Sequence, residues 1–247
     1  MTHNTNHDPA SLLAALRSSK GGSALALALG TRAFDRDDVD ALGEALPASR
    51  TPLPPPLREA LLVVGGVVEL VGAPGTGALS LALACMSEAL AARRAQNVTS
   101  SSSSWLCAID PAGSLFSPAV AALGIPLDRL LVVSPPHKAL PRVSVRALKT
   151  GVFCAMVVDA TALDDLDGLP VRRFTLAAEA SLATVFLLTR PGARRRQPLP
   201  TAVRAQLHPS TTADVVDVDI ERHRLGRRGS LPWQRPKSPV ERSFDDE

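Results

Sequence analysis

Apolar and polar residues alternate in blocks from residue 57 onward, and the short apolar blocks predict β-strands. Each block is nearly continuous in Val, Leu, Ile and Ala and is bounded by polar or glycine-containing segments. Such strands are typical of a parallel sheet that helices cover on both faces. The predicted strands are Val67–Val71, Trp105–Ile109, Leu130–Val133, Val152–Asp159 and Ala183–Thr189.

Longer segments with a helical pattern separate these strands. The predicted helices are Thr76–Ala95, Ser114–Leu123, Ala139–Thr150 and Pro170–Leu182. Gly124 and Gly151 follow two of them, at the position where a left-handed residue commonly ends a helix. The alternation predicts right-handed βαβ units, and therefore an α/β fold with a mostly parallel sheet and helices on both faces.

The pattern changes beyond residue 190. Thr201–Leu207 and Asp214–Arg224 alternate apolar and polar residues, which predicts antiparallel strands at the end of the domain. From Gly226 onward Arg, Gly, Pro and Ser dominate, so residues 226–247 are predicted to form a basic, extended or disordered tail. Removing that tail should leave a folded core at residues 56–225.

The first 55 residues are interpreted as a separate leader because their pattern is weaker. Short helices are predicted at Ser11–Arg17 and Asp35–Leu46, and the proline-rich run Pro52–Pro56 marks the boundary before the core. A second low-complexity segment, Ser100–Ser104, predicts a loop between the first long helix and the second strand.

Composition describes an ordinary folded protein. The chain has 247 residues, of which 45% are hydrophobic and 21% charged, and its formal net charge is only +3. No apolar run reaches the length of a membrane span and no signal-peptide pattern is present, so we expect a cytoplasmic protein. Cys85, Cys107 and Cys154 lie in apolar runs and are interpreted as buried, reduced thiols rather than metal ligands.

The most informative local motif lies at residues 67–80, where a strand, a glycine-rich turn and an Ala/Leu-rich helix follow each other. In this context the motif G-x-x-x-x-G-K-[ST] binds phosphates on backbone N–H groups. Gly72 and Gly77 hold the two glycine positions, but Ala78 replaces the lysine and Leu79 replaces the Mg²⁺-binding hydroxyl. The motif predicts a degenerate P-loop without hydrolysis, retained either as a vestigial nucleotide site or as a packed turn.

The vestigial nucleotide site comprises Gly72, Gly75, Thr76, Gly77 and Asp159. Asp159 ends the fourth predicted strand, where it could hold Mg²⁺ through water or cap the following loop. We favour the capping interpretation, and we interpret Asp110 in the same way.

Several motifs resemble the RecA family core in order and spacing. The segment Val68–Gly72 is similar to E-[IL]-x-G before the P-loop, and Ile109–Ala112 resembles the I-D-x-E motif at the end of the second strand. Val171–Ala180 reads V-R-R-F-T-L-A-A-E-A and is similar to the L-R-R-L-x-L-A-A-E pattern of ImuA, the RecA/SulA-like partner of error-prone polymerase cassettes. The resemblance covers roughly residues 56–233.

This resemblance implies an accessory function without catalysis in the SOS response, in DNA repair and in translesion synthesis. Ala112 stands where RecA-like enzymes carry the glutamate that activates water. The implied partners are a Y-family polymerase-like protein of the ImuB type and RecA. No cofactor is implied beyond weak ATP binding.

Two alternative functions stay open. A RecA-like DNA-binding ATPase would need the lysine and the glutamate that this chain lacks. A SulA-like inhibitor of cell division fits the lost P-loop chemistry, but it fits the full strand count and the basic C-terminal region less well.

Basic residues concentrate between residues 190 and 242, where twelve Arg and Lys residues stand against five Asp and Glu residues. Such a cluster could contact nucleic-acid phosphates or an acidic protein surface. Aromatic residues, on which single-stranded bases stack, make up only 3% of the chain, so a protein contact is favoured over DNA. The candidate contact residues are Arg194, Arg195, Arg196, Arg222, Arg224, Arg227, Arg228 and Trp233.

Overall fold

The structure is a computed structural model that describes residues 52–96, 105–163, 168–192, 198–212 and 214–236. The strands are β1 Val67–Val71, β2 Trp105–Ile109, β3 Leu130–Val133, β4 Phe153–Asp159, β5 Thr184–Thr189, β6 Val203–Pro209, β7 Val215–His223 and β8 Gly229–Gln234. The helices are α1 Pro55–Leu61, α2 Ala78–Gln96, α3 Ser117–Ala122, α4 Leu140–Leu148 and α5 Gly168–Ser181. Outside the described residues lie the predicted helices Ser11–Arg17 and Asp35–Leu46, the run Ser100–Ser104, and Arg194, Arg195 and Arg196.

All eight strands form one sheet in the order β3-β2-β4-β5-β1-β6-β7-β8. Neighbouring strands from β3 to β6 run parallel, whereas the β6–β7 and β7–β8 pairs are antiparallel. The predicted α/β class, with a mostly parallel sheet and antiparallel strands at the C-terminal end, is confirmed. Gly124 and Gly151 also have the left-handed backbone predicted for them, with φ of 77° and 70°.

Two apolar layers cover the sheet. Helices α1, α2 and α3 pack on one face around residues such as Leu81 and Met86, while α4 and α5 pack on the other around Val143 and Phe174. The first two strands are buried along their whole length, as the continuous apolar blocks predicted. In β6 and β7 buried and partly exposed residues alternate instead, since one face of this antiparallel extension lies open.

The folded core begins earlier than the boundary predicted at residue 56. Helix α1 starts within the proline-rich run, and Leu53 and Leu57 are both buried. Proline is tolerated in the first turn of a helix because the N–H it lacks would have no intrahelical acceptor there. The run Pro52–Pro56 therefore contributes to the core instead of merely separating it from the leader.

The prediction of an extended or disordered tail from residue 226 is wrong for residues 229–234. These residues form β8, which pairs with β7 from Val215 to Ile220. Trp233 is the penultimate residue of β8 and is only 2% exposed. The expectation that residues 226–247 can be removed without loss of the core therefore also needs correction.

The three cysteines are free and buried, as expected. Burial raises the pKa of the Cys85 and Cys107 thiols well above the ordinary value, and it raises the pKa of Cys154 to about 11. None of the helices in the described part of the chain is long and apolar enough to cross a bilayer.

Candidate functional site: a P-loop-like turn

The turn between β1 and α2 has the backbone geometry of a tight glycine-rich junction. The Gly72 N–H donates to the Thr189 carbonyl of β5 at 3.0 Å, and the Thr76 hydroxyl donates to the Ala73 carbonyl at 2.8 Å. A Cβ atom at position 72 would clash with the Thr76 hydroxyl, so the turn favours glycine there. Gly77 has a φ of +88°, which an L side chain adopts only with strain.

The start of α2 offers backbone donors and little else. Ala78 and Leu79 form its first turn, are partly buried, and pack against the core. The first N–H groups of a helix have no intrahelical acceptor, and the helix dipole makes this end partially positive. The turn can therefore attract an anion weakly, but these two side chains provide neither an ammonium group nor a metal-binding oxygen.

Three side chains from the C-terminal part of the chain lie next to this turn: Val216 of β7, Trp233 of β8 and Arg235, which follows β8. A Cβ atom at Gly77 would lie 3.5 Å from the Trp233 ring, 3.7 Å from Arg235 Nε and 3.7 Å from Val216 Cγ2. Arg235 Nε is buried and has no hydrogen-bond partner within the described residues. A cation beside the turn thus comes from the residue that follows β8, far along the chain from the position of the missing lysine.

Trp233 was proposed from the sequence as a partner or DNA contact, and the structure corrects this. Its ring packs into the core against the P-loop-like turn and is not accessible to a partner. The alternation of Leu231 and Trp233 with polar neighbours is the one sequence signal for this burial, and Pro232 between them weakens it.

The carboxylates at the ends of β2 and β4, Asp110 and Asp159, take part in local hydrogen bonds. Asp159 Oδ1 accepts from the Thr161 N–H at 2.9 Å and from the Thr161 hydroxyl at 2.6 Å. Asp110 accepts from the Leu115 N–H and the Ser114 hydroxyl. Both arrangements cap the loop after a strand, which is the interpretation favoured from the sequence.

Ala112 follows β2 in an exposed turn. Its methyl group provides no base at the position where the RecA-like motif has a glutamate. Among the described residues, no group of three or more His, Cys, Asp or Glu side chains is arranged to hold a metal ion.

A buried ion pair that the sequence did not predict lies just before the turn. Glu69 of β1 is completely buried, and both of its carboxylate oxygens accept from Arg204 Nη1 of β6 at 3.0 Å. The Thr189 hydroxyl donates to Glu69 at 3.0 Å, and Arg204 Nε donates to Glu221 at 2.6 Å. Burial alone would lower the pKa of Arg204. The hydrogen bond to Glu221 and the charge of Glu69 outweigh this effect, so the pKa of Arg204 is raised above its ordinary value. Through Thr189, Glu69, Arg204 and Glu221 the network joins β5, β1, β6 and β7.

The described members of the basic cluster differ in their surroundings. Arg222 Nη2 donates to the Leu199 carbonyl and to the Thr201 hydroxyl, both at 2.6 Å, so this side chain is held within the fold. Arg227 is exposed and pairs with Glu59 of α1 at 2.9 Å. Arg224 and Arg228 are exposed on the turn between β7 and β8. Among the described residues of the cluster, this turn is accessible, whereas Trp233 is buried.

Comparison with known proteins supports the fold. No family model matches the chain, and no curated protein matches it by sequence. The structure is similar to the crystal structure of the RadB recombinase, with a TM-score of 0.51 and 16% sequence identity, over 76% of this chain and 93% of that one. RadB is RecA-like, and at this identity the similarity establishes a RecA-like fold and nothing finer.

Proposed function

We propose that this protein is a non-catalytic, RecA-like accessory factor of DNA damage-induced mutagenesis. It acts in the cytoplasm by binding a Y-family polymerase-like protein of the ImuB type and RecA. In this proposal the P-loop-like turn is a structural junction, and binding replaces hydrolysis as the contribution of the fold to function.

One observation carries this proposal: the turn between β1 and α2 keeps its backbone while Ala78 and Leu79 fill the two side-chain positions that do the chemistry. A charge-assisted hydrogen bond to phosphate contributes about 1.5–3 kcal/mol, and the side chains of Ala78 and Leu79 can form none. Ala112 removes the base as well. Weak binding of ATP or phosphate stays within the proposal, because the helix N–H groups and Arg235 remain at the turn.

The choice of partners rests on the resemblance of Val171–Ala180 to the ImuA pattern. In α5 four apolar members of this segment, Val171, Phe174, Ala177 and Ala178, are buried in the core. Arg172, Arg173 and Leu176 of the same segment are exposed. These exposed side chains are accessible to a protein partner, and the proposal assigns the contact to them.

We expect substoichiometric amounts of the protein to shorten RecA filaments on single-stranded DNA. A RecA-like core without hydrolysis can occupy a filament end and block further addition of subunits. Filament length is measured by electron microscopy against added protein, and RecA ATPase is measured in parallel. The two-residue variant Arg224→Glu/Arg228→Glu tests whether the exposed β7–β8 turn takes part.

Constant filament lengths and constant RecA ATPase would refute the filament-end mechanism. If the polymerase-like protein still co-purifies with the chain under those conditions, the function reduces to that of a polymerase adaptor. If neither partner binds, the proposed accessory function is wrong.

A further inference from the structure

A groove lies between α4 and α5, on the face of the sheet opposite α2. Its cavity volume is about 390 Å³. Val145 and Leu148 of α4 and Ala177 of α5 form apolar walls, and Lys149 and Arg173 line the groove with charge. The groove is thus apolar inside and cationic at its edges, and its side chains are distinct from those around the P-loop-like turn.

Exposed leucines extend the apolar surface of the groove along α5. Leu176 lines the cavity and is 59% exposed, and Leu169, two helical turns earlier on the same side of the helix, is 63% exposed. A single exposed leucine needs no explanation. Two on one helix face beside an apolar groove form a surface that a partner could cover favourably.

The two helices that form the groove carry mostly positive charges. Residues 140–149 and 168–181 contain five cations, Arg142, Arg146, Lys149, Arg172 and Arg173, and one carboxylate, Glu179. Within the described residues, no ion pair neutralises Lys149, Arg172 or Arg173. An acidic occupant therefore meets a complementary field, whereas a basic one is repelled.

The apolar content separates a peptide from a nucleic acid as the occupant. Bases bind by stacking on aromatic rings, and the described residues that line this groove include no aromatic side chain. Leucine and alanine walls instead suit the apolar side chains of an amphipathic segment, which insert at helical spacing.

We propose that the α4–α5 groove binds an acidic peptide segment of a protein partner. One or two apolar side chains of that segment insert beside Leu176, and its carboxylates pair with Lys149 and Arg173. This inference rests on the proposed function, since it names the surface and the chemistry through which the accessory factor holds a partner.

The test uses the full-length chain and a fluorescein-labelled twelve-residue peptide of Glu and Asp with two leucines four residues apart. Fluorescence anisotropy should show saturable binding that weakens as salt is added. Leu176→Ser and Arg173→Glu should each weaken binding about tenfold or more, as expected for central interface side chains. Leu225→Ser and Lys138→Glu make the same changes at exposed positions outside the groove and should change the affinity less than about twofold.

Several outcomes separate this inference from its rivals. Absence of saturable peptide binding would overturn it, as would binding that Leu176→Ser and Arg173→Glu leave unchanged. A labelled single-stranded oligonucleotide that binds in an Arg173-dependent but Leu176-independent way would identify a nucleic-acid surface instead. Leu176 and Arg173 are both exposed, so each variant should melt at the same temperature as the wild-type chain. Thermal melting followed by circular dichroism checks this.

Binding of RecA and of the polymerase-like protein, measured with the same variants, separates failure of the groove inference from failure of the proposed function. If the groove variants lose the peptide yet retain RecA and the polymerase-like protein, the inference that the groove holds a partner of the proposed function is wrong, while the proposed function itself stands. If the wild-type chain binds the peptide but neither partner, the groove stands and the proposed function fails.

Discussion

Replacing Trp233 with alanine should lower the free energy of unfolding by about 3–5 kcal/mol, the range for truncating a large buried aromatic side chain. The ring is 2% exposed and packs against the turn at Gly77 and against the core shared with α2. Its loss opens a cavity that the neighbouring glycine-rich backbone cannot fill. Urea unfolding followed by circular dichroism measures the change, and Trp105 remains as a fluorescent reporter.

Two truncations extend this prediction to the whole strand. A chain that ends at Leu225 loses β8 and exposes the unpaired edge of β7, so it should aggregate or unfold at ambient temperature. A chain that ends at Pro236 keeps β8 and Trp233 and should stay within about 0.5 kcal/mol of wild type. Equal stability of the two truncated chains would contradict the placement of β8 in the core sheet.

Replacing Arg204 with methionine should cost about 3–5 kcal/mol, because it removes the hydrogen bonds and the positive charge that Arg204 provides to the fully buried Glu69 carboxylate. The double variant Glu69→Leu/Arg204→Met should recover most of that loss, since it replaces the charges with apolar groups of similar size. Thermal and urea unfolding of the two variants provide the comparison.

Glu221→Ala is the matched control for this network. Glu221 bonds to the same arginine but is 41% exposed, so its removal should cost less than about 1 kcal/mol. If Arg204→Met proves as mild as Glu221→Ala, the Glu69–Arg204 pair does not stabilise the fold as the geometry indicates.

Most of the sheet could be predicted from the sequence because its strands bury both faces. The predicted limits of β1, β2 and β3 agree with the structure, and those of β4 and β5 differ by one residue at the start. Two elements, helix α1 and strand β8, were not predicted because contacts between distant parts of the chain determine them. Helix α1 begins among prolines, and β8 combines glycine, serine and proline with two apolar residues, so local propensity argued against both elements until packing on the core decided.

The candidate site was predicted in part. The position of the P-loop-like turn follows from local sequence, because glycine spacing and the flanking strand and helix are local features. The contacts that surround the turn are not local. Arg204 lies 135 residues from Glu69, and Arg235 reaches Gly77 from the last described strand. The pattern of residues along the chain has no information on such distant pairs. Because the residues near Trp233 in the sequence are basic, the sequence analysis predicted Trp233 as an exposed partner contact.

Release of inorganic phosphate from ATP, measured with and without single-stranded DNA, tests the central claim most directly. We predict turnover below about 0.1 per second, a tenth of the low end of typical enzyme rates. The same result is expected for Ala78→Lys, because Leu79 still provides no Mg²⁺ ligand and Ala112 no base. Turnover at or above that rate by the wild-type chain would show that the P-loop-like turn is catalytic and would contradict the account of a RecA-like fold that acts by binding alone.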